Sequence, residues 1–328
     1  MLARALSAST HVDILTHGMM GVVLASPFLD SHPLLAGGIA LGSTLPDADA
    51  LSRLFGKRAF LRAHQTYSHA LPFIALAGLL SFAASSWLEL GFGGFLLGIC
   101  LGMALHSLLD VTNTYGITLF APFSSKRICF EWVFFIDIVV LAATTIAFAM
   151  VAQSIANEEV IEASVAGVYG LSMLAYFGLK AGLRKRCAGY SPKGTLALLP
   201  SAALPWEYFG CAREEHEVRI FRMNSITGSL REESRVPILD REWEEHIQSV
   251  PEVCAMRSLT PAFHVISATA IEARSTGVSP SHAGAPAIVG ATRLFMKDLR
   301  TRNFGTRFGS LELVLASDGS VIAKEFHV

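Results

Sequence analysis

Thiolate pairs are missing from this chain. Its five cysteines, Cys100, Cys129, Cys187, Cys211 and Cys254, are odd in number and widely spaced, and no C-x-x-C occurs. Neither a disulfide framework nor a thiolate zinc site is expected, and a reducing compartment is the simplest reading. Charge is scarce as well. Asp, Glu, Lys and Arg make up 16% of the residues and the formal net charge is -1, so the basic stripe that nucleic-acid binding needs is absent and no nucleic-acid partner is expected. What the chain has instead is apolar surface. Hydrophobic residues are 52% of its 328 positions and the mean hydropathy is +0.47, which is too apolar for an ordinary soluble enzyme of this size. Part of it is expected to sit in a lipid bilayer.

The apolar segments crowd into one half of the chain. Residues 70 to 89, 91 to 110, 132 to 153 and 160 to 179 are each close to the ~20 residues needed to cross the hydrocarbon core. Residues 13 to 29 and 33 to 46 are shorter, with Pro27, Asp30, His32 and Pro33 between them, and suit either a tight spanning hairpin or a re-entrant pair buried in protein. The expectation is a mainly α protein: a polytopic transmembrane bundle of about six segments over residues 1–185, followed by a separate domain over 186–328. The first residues do not resemble a cleaved signal peptide, because no small-residue cleavage site is present and apolar segments with embedded histidine follow directly.

Ionisable side chains are costly at bilayer depth, so those near the ends of these segments imply a buried partner, a water-filled cavity or a metal. They are His17, the Pro46-Asp47-Ala48-Asp49 stretch, His64, the Ser68-His69 pair, and His106 with Asp110. His and Asp bind zinc and its borderline relatives through nitrogen and oxygen. His106 and Asp110 stand at i and i+4, on one helix face, and can ligate one ion together. His64 and His69 are five apart; His64 is expected in a loop and His69 at the opening of the next helix. Asp47 and Asp49, at i and i+2, point in different directions if the local chain is helical. Asp47 is therefore expected to bind metal, and Asp49 to serve a second ion or to accept the proton of the attacking water. Asp137, early in the fifth segment, suits either a partner that orients a histidine or a polar group between helices.

Loop charges orient the bundle. Arg53, Lys57, Arg58 and Arg62 precede the third segment, Lys126 and Arg127 the fifth, and Lys180, Arg184, Lys185 and Arg186 follow the sixth, whereas the opposite connections carry Asp30, Glu89, Glu158 and Glu159. The positive-inside rule then places both termini in the cytoplasm. The same topology brings the seven His and Asp groups to one level near the cytoplasmic face. Gly94, Gly98, Gly102, His106 and Asp110 form an i, i+4 series that drifts only roughly 40° per step. Small residues let helices approach, so the ridge turns the polar pair inward, and Gly38 and Gly42 repeat the device ahead of Asp47.

From Trp206 onward charges are frequent and short alternating runs appear at Glu217 to Phe221, His264 to Ala273 and Ala287 to Met296, the pattern of half-buried strands. Leu311 to Leu315, then Asp318-Gly319, then Val321 to Ala323 is a hairpin signal. Leu239 to Val250, stopped by Pro251, is predicted as the one clear helix. A small cytoplasmic α+β domain of about 120 residues is expected.

His17, Pro46-Asp47-Ala48-Asp49, His64-Gln65-Thr66-Tyr67-Ser68-His69 and His106-Ser107-Leu108-Leu109-Asp110, with Thr112 and Gly116, resemble in order the motifs of the YdjM-type family of bacterial inner-membrane proteins, described as metal-dependent hydrolases. The family usually shows His-Arg-Gly-x-Thr-His where this chain has His64-Gln65-Thr66-Tyr67-Ser68-His69; the two histidines are kept and the arginine is not. The family is in turn similar to zinc-dependent phospholipase C and the P1-type nucleases. The resemblance implies a bacterial inner-membrane location, a divalent metal of the zinc type and a phosphoester substrate, with phospholipid the class that a site at headgroup level meets by lateral diffusion. A metal-binding or transport protein without hydrolytic chemistry is the alternative, and a scaffold for the polar domain a third.

Overall fold

The computed structural model describes residues 2–56, 65–88, 91–271, 290–304 and 309–327. They form two compact units. One comprises Met1–Ser191 with Leu198–Phe209 and Met223–Ser229, the other Pro192–Ala197, Gly210–Arg222 and Leu230–Val328.

The first unit is helical. In chain order it contains α1 (Leu2–Ala25), α2 (Pro33–Gly42), a 3-10 segment (Leu45–Phe55), α3 (Leu71–Trp87), α4 (Gly93–Val111), α5 (Ile138–Ala156) and α6 (Ala163–Tyr190). Proline opens several of these elements. Pro33, Pro46 and Pro72 stand at the first or second position of α2, the 3-10 segment and α3, where the missing N–H costs nothing. Asp137 caps α5, its carboxylate accepting from the Val139 and Val140 N–H groups at 3.0 and 3.3 Å.

Each expected apolar segment contains a helix, with shifted ends. The fifth begins at Ile138 and not near 132, because the Asp137 cap fixes its start. The sixth continues unbroken to Tyr190. Among the described residues two helices, Gly93–Val111 and Ile138–Ala156, are long and apolar enough to cross a membrane, while Ile14–Phe28 and Leu71–Trp87 are shorter apolar helices. The expectation of six spanning segments is thus met only in part. The 10 residues of α2 fall well short of a crossing. Large apolar side chains such as Leu79, Phe82, Ile146 and Leu171 point outward, while Met20, Val23, Val140, Ala147, Tyr169 and Met173 pack together between α1, α5 and α6.

Helices α2 and α4 meet through the glycine ridge that the spacing predicts. Methyl groups added at Gly38 or Gly42 would collide with the carbonyls of Phe95 and Ile99, and at Gly98 or Gly102 with those of Leu35 and Ile39. The backbones therefore touch directly, and only glycine allows this. That contact sets the height of the α2 end beside the polar end of α4.

Eight strands follow among the described residues: β1 (Thr195–Pro200), β2 (Glu207–Arg213), β3 (Glu217–Asn224), β4 (Leu230–Pro237), β5 (Phe263–Ile271), β6 (Ala291–Asp298), β7 (Ser310–Leu315) and β8 (Val321–His327). They make two four-stranded sheets in simple sequential order. The second is antiparallel throughout. Its last hairpin turns at Gly319, whose φ of +81° suits the Asp-Gly signal. The helix expected over Leu239 to Val250 is α7 (Asp240–Ile247), and a second helix that was not expected, α8 (Pro251–Leu259), follows it. Pro251 does not end a helical region; it occupies a first-turn position and starts the second helix. Val218, Ile220, Ile238, Ala262 and Leu299 are buried in the core of the second unit.

Candidate metal centre

Three elements deliver the polar groups. The 3-10 segment carries Asp47 and Asp49, the turn ahead of α3 carries His69, and the last turn and a half of α4 carries His106 and Asp110. His69 and His106 are 0% exposed and Asp110 is 3% exposed, while Asp47 and Asp49 are partly buried. One ligand-type atom from each of Asp47, His69, His106 and Asp110 lies within 4.8 Å of all the others.

The distances are short and the atoms converge. Asp110 Oδ2 is 3.2 Å from His69 Nε2 and 3.5 Å from His106 Nε2. Asp47 Oδ1 is 3.5 Å from His106 Nε2 and 4.0 Å from His69 Nε2. Ligands bound at ~2.0–2.1 Å in a tetrahedron stand roughly 3.3 Å apart, so the group is close to the size of a first-row divalent cation site without rearrangement.

Proton placement strengthens the fit. His106 Nδ1 lies 2.8 Å from the Ser43 carbonyl oxygen. A carbonyl only accepts, so Nδ1 carries the hydrogen and a neutral ring presents the bare Nε2 lone pair to two carboxylates. His106 Nε2 and Asp110 Oδ2 are both buried and make no hydrogen bond among the described residues. A lone pair facing carboxylate oxygens at that depth is unfavourable unless a cation or a proton lies between them. His69 is arranged alike: Ser68 Oγ donates to Asp49 Oδ2 at 2.6 Å and sits 3.0 Å from His69 Nδ1, which itself is 3.4 Å from Asp49 Oδ2. Imidazoles that bind metals characteristically donate their other nitrogen to a carbonyl or carboxylate in this way. The group can hold a divalent cation.

The remaining expected residues take other places. His17, on α1, puts Nε2 3.4 Å from Asp110 Oδ1 and lays its ring 4.0 Å, centroid to centroid, from that of His106. It contacts the group of four from the side and does not belong to it. Asp49 meets His69 at Nδ1, whereas Nε2 is the nitrogen that faces Asp110. His64 lies outside the described residues. Among the described residues Asp137 makes no hydrogen bond or ion pair with a histidine; its carboxylate caps α5, receives the Tyr176 hydroxyl at 3.0 Å to each oxygen and faces Lys180 Nζ at 3.6 Å. A cavity of about 50 Å³ bounded by His17, Asp110, Asn113, Phe135 and Asp137 is large enough to admit water beside Asp110.

Three supporting groups carry no sequence signal. Ser43 contributes only its carbonyl, so its side chain is silent. Gln65 adopts φ +59°, a left-handed conformation that a non-glycine residue holds only when its surroundings fix it. Its N–H donates to Asp49 Oδ2 at 2.8 Å, its carbonyl accepts from Thr118 N–H at 3.2 Å, and its side-chain oxygen accepts from Arg127 at 2.8 Å. Arg127 also donates to the Gly116 carbonyl at 2.6 Å. A loop cation expected to act only on topology therefore braces the turn that carries His69.

Fold and site together define an apolar helical protein with a buried His/Asp group able to hold a divalent cation, joined to a β-sheet domain. Comparison with known families makes this particular: residues 12–181 match the YdjM inner membrane protein family, and the chain belongs to it. The resemblance noted in the motifs is therefore shown, and the family marks an inner membrane protein. The chain is also similar to the uncharacterized protein YfhP of Bacillus subtilis (strain 168), with 29% identity over 127 residues. That match covers 35% of this chain and 38% of the relative. No solved structure matches.

Proposed function

We propose that this protein is a membrane-embedded, metal-dependent hydrolase of phosphoesters, with phospholipid headgroups as the natural substrate class and zinc as the metal. The observation that carries this reading is the pair of imidazoles, His69 and His106, each tied at Nδ1 and each aiming Nε2 at the carboxylates of Asp47 and Asp110. A zinc-type ion held there supplies an acidified water and polarises a scissile ester. His69, His106, Asp47 and Asp110 hold the ion. His17 supports Asp110 from its second oxygen. The sequence offers Asp49 as a proton acceptor or as a ligand of a second ion; the contacts with Ser68, Gln65 N–H and His69 Nδ1 favour a positioning residue that fixes the His69 ring.

Family membership supports an inner-membrane site, and loop charge supports cytoplasmic termini with the site near the cytoplasmic face. Elemental analysis of detergent-purified protein, with a screen of phosphomonoesters, phosphodiesters and phospholipids, tests the proposal. Bound metal and a turnover that a chelator abolishes are expected. The second reading, a metal-binding or transport protein without hydrolysis, draws on the near-complete burial of His69, His106 and Asp110; bound metal without turnover of any ester selects it. Neither metal nor turnover would sink both.

A further inference from the structure

The second unit holds a histidine and aspartate pair for which the metal centre has no use. His264, second residue of β5, is 3% exposed. Its Nδ1 lies 2.6 Å from Asp240 Oδ2, and the other Asp240 oxygen accepts the Val265 N–H at 2.8 Å. Burial pushes the Asp240 carboxyl up, but the hydrogen bonds from His264 and Val265 and the charges of His264 and Arg257 outweigh it and hold the group below the usual carboxylate range. Asp240 is therefore the acceptor, Nδ1 carries the hydrogen, and Nε2 is the atom left to act. That nitrogen is buried and makes no hydrogen bond among the described residues.

It is not walled in by apolar side chains. His264 lines a cleft of about 540 Å³ together with Arg213, Arg241, Asp240, Glu244 and Arg257. The cations differ in availability. Arg257 is held by Glu244 through two hydrogen bonds of 2.8 and 2.9 Å. Arg213, the last residue of β2, and Arg241, in the first turn of α7, are exposed and form no ion pair among the described residues. The cleft thus collects two uncommitted guanidinium groups and one buried imidazole nitrogen from three elements, beside the N-terminal end of a helix, where an anion is favoured.

We propose that this cleft binds a small phosphorylated ligand, its phosphate held by Arg213 and Arg241 with His264 Nε2 as the buried third partner. With the His264 ring protonated beside the Asp240 carboxylate, Nε2–H donates as well as Nδ1–H, and donors from three separate elements suit a tetrahedral oxyanion, whose oxygens point in several directions; a planar carboxylate would use one fork. The cleft has the volume of a small-molecule site and greatly exceeds a bare phosphate. The organic part of the ligand lies against Pro261 and Phe263, which complete the wall. The site is independent of the hydrolase proposal, since it shares no residue with the metal centre.

The test is calorimetric titration of the full-length protein in detergent with inorganic phosphate, then with glycerol phosphate, and with acetate for comparison. Saturable phosphate binding is expected, tighter for glycerol phosphate than for phosphate and weaker for acetate. Arg213→Gln combined with Arg241→Gln should weaken it at least about tenfold, since charge-assisted bonds are the strong ones. Both positions are exposed, so the variant keeps its fold. His264→Gln should weaken binding as well. Asp110→Asn should leave it unchanged, which separates this cleft from phosphate taken up at the metal centre. The proposal fails if the wild type shows no saturable binding, if the double arginine variant binds as the wild type does, if Asp110→Asn abolishes binding, or if acetate binds as tightly as phosphate.

Discussion

Gly42 of α2 and Ile99 of α4 touch through their backbones, and the residue after Gly42, Ser43, supplies the carbonyl that receives the His106 Nδ1 hydrogen. Helix packing and imidazole orientation are one contact apart. Gly42→Ala adds a methyl that must displace α4, at about 1–3 kcal/mol for overpacking. The expected outcome is a protein that inserts and is recovered from membranes but binds less metal. Undiminished metal in Gly42→Ala would mean that the Ser43 contact does not orient the ring.

Substitutions at the two aspartates of the 3-10 segment should separate. Asp47→Asn removes an oxygen 3.5 Å from His106 Nε2 and is expected to lose metal and turnover together. Asp49→Asn weakens the support behind His69, and a loss of about 10–100-fold in metal affinity is expected, the usual scale for groups that orient a ligand. Metal titration of the two purified variants decides this. A variant Asp49→Asn with full metal affinity and no turnover would instead restore the proton-accepting role.

Lys180 is fully buried between Asp137 and the Pro205 carbonyl, with Tyr176 and Tyr208 rings 6.0 and 5.8 Å from its Nζ. Lys180→Ala leaves the Asp137 carboxylate buried with no cation beside it. Removing one partner of such a pair costs about 3–5 kcal/mol, so thermal unfolding in detergent should shift sharply downward. Lys180→Met, of similar length and apolar, leaves the same carboxylate uncompensated and should not rescue stability; rescue would assign the Lys180 contribution to packing alone.

A reporter fused after Val328 checks the topology. Loop charge asymmetry predicts a signal only from a reporter that works in the cytoplasm. A signal only from a reporter that works outside it would invert the whole arrangement.

The glycine ridge and the i, i+4 pair were legible because both are periodic. Gly98, Gly102, His106 and Asp110 fall on one face whatever the partner helix, and the structure brings that face against Gly38 and Gly42. Asp47 and His69 could be placed near that pair by topology alone. What stayed hidden is non-periodic and uses the backbone: the Ser43 carbonyl, the left-handed Gln65 and the Arg127 brace leave no spacing to detect. The two-helix segment around Pro251 was misread for a different reason. Proline both stops and starts helices, and only the packing of Val253 and Met256 into the interior shows which role it takes there.

The strand tips at Leu198–Phe209 and Met223–Ser229 cluster with the helical unit, and they satisfy it chemically. The Ile138 N–H donates to the Ala202 carbonyl, Lys180 to Pro205, and Arg186 to the Ser225 and Ile226 carbonyls. These partners are synthesised only after α6. Synthesis is vectorial, so the bundle passes through an interval in which α6 is complete but its buried Lys180 and its exposed Arg186 have no carbonyls to meet. A nascent chain halted after Tyr190 would be held in that state, and a protease or chaperone that inspects unfinished membrane proteins would find its target there.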